Sequence, residues 1–354
     1  MKKALLLEGG GAKGAYQAGA IKALCKKGIY FDGVGGTSIG AINAAFYVVR
    51  KLDNLYKLWL SYDSDFLLGL NSDMLDHVAN KTLSREDLKN GMSDLIKIIK
   101  NRGVDTTNIK KALAKSINED RFMRSRIDYG MNTFSLSDFK PVHIFKKDIP
   151  KGKLIEYILS SAYLPGFKQE RIINGKYYLD GGVYENCPID MFIDAGYDEI
   201  YVVRNWQNKL KYKKKRGVKV HIVTPREDLG SIMRFTKEAA IYRMNLGYYD
   251  MLKYLDNLDG YKYYFKYYSE KYYEELFDKI QLKKIIKKYN NGRPIKNYKA
   301  FILKHIEKIC SEFKIERFKI YNMPYLLTRI KYKMVPLTSN YYYDFVKLIR
   351  VDFE

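Results

Sequence analysis

Gly36-Thr37-Ser38-Ile39-Gly40 sets a serine between glycines where an apolar run, Gly33-Val34-Gly35, gives way to a helix-like pattern from Ala41 to Phe46. A serine on such a strand-to-helix turn projects its hydroxyl away from the backbone and sits at a helix N-terminus, the placement a nucleophile needs. The flanking glycines tolerate a strained turn and let another backbone pass close by. Taken singly, the spacing also fits a Gly- and Ser-containing turn with no chemistry.

A second glycine cluster follows the first strand-like run. Lys3 to Leu7 reads as a short buried strand, Gly9-Gly10-Gly11-Ala12-Lys13-Gly14 as a loop, and Ala15 to Leu24 as a helix ending near Gly28. Loop amides and a helix dipole together favour an anion. Gly9, Gly11 and Gly14 fit dinucleotide spacing, with Asp32 placed where a ribose-binding acid is sought. The same amides could serve equally as an oxyanion hole, or the loop could be a plain tight turn. A nucleotide P-loop is excluded, because Ala15 and Tyr16 follow Gly14 in place of Lys and Ser/Thr.

The third candidate is Asp180-Gly181-Gly182, where Tyr177-Tyr178-Leu179 delivers a carboxylate to a glycine turn. Alone it reads as an ordinary Asp-Gly turn. Ser38, however, needs a base, and the chain has only four histidines, His77, His143, His221 and His305, none in a glycine-flanked loop. His143 and His221 lie inside strand-like runs and are expected half-buried there, whereas His77 and His305 lie in polar helical patterns. Asp180 acting directly on Ser38 is the more economical pairing.

These motifs, in this order, resemble the patatin-like phospholipases. Gly9-Gly10-Gly11-Ala12-Lys13-Gly14 is similar to that family's G-G-G-x-K/R-G oxyanion loop, Gly36 to Gly40 to its G-x-S-x-G elbow, and Asp180-Gly181-Gly182 to its D-G-A/G motif. Ser160 to Phe167 resembles the S-x-A-x-P-x-x-F stretch before the aspartate, and Asn186-Cys187-Pro188 the N-x-P after it. The resemblance covers roughly residues 1–255 and displaces the dinucleotide reading. It implies a Ser38–Asp180 dyad without histidine and an oxyanion hole in the loop, around Gly10 to Ala12. The implied activity is hydrolysis of fatty acyl esters in phospholipids or lysophospholipids, with no metal and no cofactor. Lys13 would be structural or attract an anion. A fold-retaining lipid-binding protein and an acyltransferase are the other functions compatible with these motifs.

At 354 residues and 47% hydrophobic content, the chain suffices for a sizeable core. No run of 18 apolar residues occurs, and Glu8 cuts short the signal-like Met1 to Leu7, so neither a spanning helix nor a signal peptide is expected. Cys25, Cys187 and Cys310 are widely spaced, which suits a reducing interior and no disulfide or zinc framework. The expected location is cytoplasmic, peripheral to membranes. Val142–Phe145, Glu199–Val203 and Val218–Val223 read as interior strands of a mostly parallel sheet. Asp190–Ala195 and Ile232–Leu255 read as helices. The expected architecture is an α/β/α sandwich over residues 1–257, with 61–140 a helical cap-like insertion that includes a helical pattern from Leu88 to Lys100. Residues 258–354 form a helical C-terminal appendage carrying 21 Lys and Arg against 11 Asp and Glu. This basic, tyrosine-rich region suits docking on an anionic lipid surface; nucleic acid, for which basic and stacking residues also suit, is not expected as the partner, and plain compositional bias explains the region equally well. Oligomeric state is not legible.

Overall fold

The computed structural model describes residues 1–61, 106–164, 167, 170–334 and 345–349. They form two compact units, Met1–Met251 and Leu252–Glu354.

The first unit is built on a seven-stranded sheet. Its strands are β1 (Lys3–Leu7), β2 (Gly33–Thr37), β3 (Asp128–Ser135), β4 (Lys140–Phe145), β5 (Tyr178–Asp180), β6 (Glu199–Val203) and β7 (Lys219–Val223). The order is β4-β3-β2-β1-β6-β7, with β5 added beside β3. The pairs β1–β2, β1–β6, β2–β3 and β6–β7 are parallel; β3–β4 and β3–β5 are antiparallel. The helices are α1 (Ala15–Lys26), α2 (Ile39–Val48), α3 (Leu52–Ser61), α4 (Thr107–Ser116), α5 (Glu119–Arg124), α6 (Leu154–Ser161), α7 (Ile189–Asp194) and α8 (Lys237–Asp256). Alternation along the strands assigns the layers. Ala4, Leu6, Ile200 and Val202 point to the face covered by α7, through Ile189, Met191 and Phe192. Tyr201 points to the other face, where Phe31 links it edge-on to Tyr47 of α2. Helices therefore flank a mostly parallel sheet on both sides.

The helical insertion and the interior strands need correction, and the expected interior run Val218–Val223 is realised as β7, the parallel edge strand that ends the sheet order. The C-terminal end of the supposed helical insertion, 128–135, is the strand β3, paired along both edges. The run around Val142–Phe145 is not an interior parallel strand but the antiparallel edge strand of a hairpin, with Ser135 opposite Lys140. The connection between β3 and β4 is too short for a parallel crossover, so the chain must reverse. His143, on that edge, is accordingly exposed rather than half-buried. Within the 61–140 stretch, α4 and α5 are helical, and the pattern from Leu88 to Lys100 lies outside the described residues.

The second unit has its own core. Helices α9 (Glu270–Glu275), α10 (Lys279–Tyr289), α11 (Tyr298–Glu312) and α12 (Met323–Arg329) accompany a two-stranded parallel ribbon of β8 (Tyr264–Phe265) and β9 (Ile320–Tyr321). Asp278 starts α10 by accepting the Ile280 and Gln281 N–H groups at 2.8 Å each. Ile285, Ile302, Ile306 and Ile309 are fully buried together with Phe345 and Val346. His305, expected on a polar helical surface, is instead buried and stacked on Phe345 at 4.5 Å.

Candidate active site

The register of three strands brings Ser38 and Asp180 together. Along one edge of β3, β2 runs parallel and ends with Thr37 opposite Asn132. On the same edge β5 runs antiparallel and ends with Asp180 opposite Thr133; the other edge is taken by β4. The C-terminal ends of β2 and β5 thus meet head to head at Asn132 and Thr133. The next residue after β2 is Ser38.

Ser38 adopts φ 56° and ψ −125°, a conformation rare for a side-chain-bearing residue, and caps α2. The turn fits only with glycine on either side. A Cβ on Gly36 or Gly40 would lie 2.3 or 2.0 Å from the Leu7 carbonyl oxygen at the end of β1. Ser38 donates its backbone N–H to Ser161 Oγ at 2.9 Å, and Ser161 donates to the Asn132 carbonyl at 2.7 Å. Thr37 turns inward, its hydroxyl 2.5 Å from Asn132 Oδ1. Ile39 lines the pocket described below.

Asp180 is 5% exposed. Its N–H donates to the Tyr163 carbonyl at 2.7 Å, and its Oδ1 accepts the Gly182 N–H at 2.8 Å. Oδ2 is buried with no hydrogen-bond partner among the described residues. Burial pushes the carboxyl up to about 6, and the nearby Ser38 hydroxyl and the Gly182 N–H hold it back from rising further. The hydroxyl is thus a neighbour of the carboxylate without completing a bond of ordinary geometry to Oδ2; such bonds commonly tighten only in the substrate complex. Gly181 is needed because a Cβ there would lie 2.5 Å from the Asn132 carbonyl oxygen. Among the described histidines, His143 pairs with Glu185, His221 with Glu199, and His305 with the Phe301 carbonyl.

The glycine loop lies beside both. A Cβ on Gly9 would sit 3.4 Å from Ser38 Cβ. Gly11 has φ 52°, and a Cβ on it would press to 2.3 Å from the Ile232 carbonyl oxygen. Most loop amides are already committed. Gly9 donates to the Asn186 carbonyl at 3.0 Å, Ala12 to Ile232 at 2.6 Å and Lys13 to Gly10 at 3.1 Å, while Gly14 closes the 3-10 turn Gly11–Gly14. Among the described residues, Gly10 and Gly11 have no such acceptor. The oxyanion hole expected across Gly9 to Gly14 therefore narrows to these two amides as candidates, and Ala12 falls outside it.

Asn186 of the N-x-P stretch holds this loop, together with residues that the motifs did not single out. Asn186 returns the Gly9 bond, its Nδ2 donating to the Gly9 carbonyl at 3.2 Å. Asn43 of α2 donates to the Gly14 carbonyl at 3.0 Å and to Gln17 Oε1 at 2.9 Å. Glu8, buried, pairs with Arg204 at 2.7 Å and accepts the Asn205 N–H at 2.7 Å. Arg243 donates to the carbonyls of Ala12, Leu229, Ser231 and Arg234; burial lowers its pKa to about 10. Apart from Asn186, no spacing rule marks these, because the loop contact of each is with a segment distant in sequence.

An apolar cavity of about 100 Å³ opens on Ser38 and Gly11. Its walls come from Ile42 of α2, Trp59 of α3, Ile109, Ala112 and Leu113 of α4, Leu159 of α6, and Phe167, Ile232 and Phe235. Trp59 and Phe235 stack at 6.1 Å. Among the described residues, every side chain on this wall apart from Ser38 is apolar. Pro165 and Gly166 of the stretch before the aspartate lie outside the described residues. Among the described residues, no helix is long and apolar enough to cross a membrane.

The patatin-like phospholipase family model matches residues 5–193. The chain is similar to lysophospholipase nte1 of Aspergillus terreus, 30% identical over 204 residues covering 56% of this chain and 12% of that protein. It is also similar to lysophospholipase NTE1 of Yarrowia lipolytica, 30% identical over 200 residues, again 56% of this chain and 12% of that protein. The chain thus spans about an eighth of the length of these curated relatives. Among solved structures, VipD from Legionella pneumophila has a TM-score of 0.40 at 13% identity, covering 98% of this chain and 90% of that one. The type III effector protein ExoU has a TM-score of 0.32 at 15% identity, covering 98% and 68%. At such low scores neither likeness bears on this chain's activity. The family model covers more than half of the chain and includes all three glycine motifs, so this protein belongs to the patatin-like phospholipase family.

Proposed function

We propose that this chain is a serine lipid acyl hydrolase of the phospholipase A or lysophospholipase type. One observation carries the reading: the buried Asp180 carboxylate stands beside the Ser38 hydroxyl, and Ser38 opens on a cavity whose other side chains, among the described residues, are apolar. The cavity suits a fatty acyl chain. Its ester carbonyl would lie over Ser38, with the carbonyl oxygen toward the Gly10 and Gly11 amides.

In this reading Asp180 accepts the Ser38 proton as Oγ attacks the ester carbon. Negative charge grows on the carbonyl oxygen, where two fixed amides stabilise it; losing one such donor costs about 3–4 kcal/mol in comparable sites. The tetrahedral adduct collapses, the C–O bond to the alcohol breaks, and Asp180 returns the proton to the leaving oxygen. Water then attacks the acyl-Ser38 ester, again giving its proton to Asp180, and the fatty acid leaves as Ser38 is regenerated. A carboxylate near pKa 6 is a stronger base than an exposed one and is still ionised at neutral pH. The lysophospholipase relatives favour single-chain lipids as substrates.

Access to lipid belongs to the same reading. On α10, Lys283, Lys284, Lys287 and Lys288 are exposed while Ile285 and Tyr289 turn into the core. Such a face would gain about 1 kcal/mol per lysine at an anionic leaflet.

The test is fatty acid release from lysophosphatidylcholine and from diacyl phospholipid vesicles by wild type and Ser38→Ala. Release by wild type alone is expected. Equal release by both proteins, or none by wild type on either substrate, would overturn the proposal.

A further inference from the structure

We infer that Asn132 is a positioning residue for the reaction, holding the Ser38 turn and the Asp180 turn in one register from the point where β2 and β5 meet. The inference rests on the Ser38–Asp180 hydrolysis proposed above and adds a residue to it.

Asn132 touches every segment that carries the dyad. Its Oδ1 lies 2.5 Å from the Thr37 hydroxyl, on the residue directly before the nucleophile. Its Nδ2 donates to the Glu185 carbonyl at 2.6 Å and lies 3.5 Å from that of Gly181, at the two ends of the turn that follows Asp180. Its own carbonyl accepts the Ser161 hydroxyl at 2.7 Å, and Ser161 in turn accepts the Ser38 N–H. The position needs an acceptor toward one turn and donors toward the other, on a short planar group. Of the side chains of that size, only an asparagine amide supplies both. An aspartate would set a second acceptor against the Glu185 carbonyl. At 1% exposure, water cannot replace a lost partner.

These bonds run between the two turns, so loosening them shifts Ser38 against Asp180. A misplacement of about 1 Å costs about 100-fold in rate. Packing alone would tolerate the same change with a loss of stability and little selectivity for catalysis.

The experiment compares Asn132→Ala, Asn132→Asp, Thr37→Val, Thr37→Ser and the Thr37→Val/Asn132→Ala double variant. Read-outs are kcat and KM on a soluble ester, the rate of Ser38 labelling by a fluorophosphonate, and Tm. Both Asn132 variants are expected to lose about 100-fold in kcat and in labelling rate, with KM within about threefold. Thr37→Val should lose about tenfold or more, Thr37→Ser should restore most of it, and the double variant should fall no further than Asn132→Ala. Asn132→Ala within about threefold of wild type, a double variant losing the product of the single losses, or Thr37→Ser falling as far as Thr37→Val would each overturn the inference. If Asn132→Ala fails to fold, Asn132→Asp decides, because the Thr37 hydroxyl also reaches the Glu185 carbonyl directly at 3.1 Å. Wild type that neither labels nor hydrolyses would remove the hydrolase reading itself; active wild type with equally active variants would remove only the role of Asn132.

Discussion

The Lys13 ammonium lies 3.6 Å from the centre of the Trp206 ring, and Trp206 donates its indole N–H to the Gly9 carbonyl at 3.1 Å. Lys13 is 4% exposed and reaches Asp228 at 3.4 Å. Burial holds its pKa below the usual lysine value, with Asp228 opposing that shift. The lysine is therefore a brace on the glycine loop, clamping the indole that fixes Gly9. A cation over an aromatic face contributes about 0.5–2 kcal/mol.

Lys13→Met is accordingly expected to lower kcat about tenfold and leave KM unchanged on both neutral and anionic esters. Lys13→Arg, which also stacks on an indole, should keep most of the activity. Kinetics on one neutral and one anionic ester check this. A KM rise confined to the anionic ester would show Lys13 acting on the substrate's charge instead.

Asp180 ties activity to pH. As a base it must be ionised, so kcat/KM should rise with pH through about 6 and level off above, falling about tenfold per unit below. Stability runs the other way. A carboxyl whose folded pKa lies above the ordinary 3.8 favours folding in its protonated form; that contribution is complete below about 3.8 and is lost as pH rises through about 6. Asp180→Asn stays neutral and still offers Oδ1 to Gly182. It should be more stable than wild type at pH 7.5, by up to about 3 kcal/mol, and nearly equal to it at pH 4. Thermal melts at the two pH values read this directly; a gain of the same size at both would contradict it.

The apolar cavity predicts chain-length control. Ala112 of α4 lies on its wall and is buried. Ala112→Phe should fill part of the space, lowering kcat/KM for long-chain lysolipids by at least about tenfold while short esters stay within about threefold. A chain-length series on wild type and variant shows it. Equal losses on short and long chains would mean that the acyl group lies elsewhere.

The lysine face of α10 predicts salt-sensitive binding. Lys287→Glu/Lys288→Glu should weaken binding of the full chain to anionic vesicles by about tenfold or more at low salt, with little effect on neutral vesicles. Co-sedimentation across a salt series checks it. Equal affinity of wild type for neutral and anionic vesicles would count against docking through this face.

The three glycine motifs were legible because each encodes a local need. Gly36 and Gly40 are demanded by the Leu7 carbonyl, Gly11 by a positive φ, and Gly181 by the Asn132 carbonyl. The sheet was legible in part: β1, β6 and the edge strand β7 show as apolar runs. β3 was not, because Asp128–Ser135 mixes Asn, Thr and Ser with apolar residues and looks like surface. Those polar groups are buried because they bind the turns, and that need appears only once β5 returns to the same edge. Asn132, Asn43 and Arg243 escaped for the same reason: the contacts that tie them to the motif loops reach residues 29 to 231 positions away. The amides of Gly10 and Gly11 could be separated from Ala12 only when Ile232 was found bonded to the latter.

The central claim is that Asp180 alone deprotonates Ser38. The most direct measurement is the rate at which a fluorophosphonate labels Ser38 in purified Asp180→Asn at pH 7.5, beside wild type and Ser38→Ala. The expected result is no labelling of Ser38→Ala and labelling of Asp180→Asn at least about 1,000-fold slower than wild type, in a protein that remains folded. Labelling of Asp180→Asn within about tenfold of wild type would contradict it.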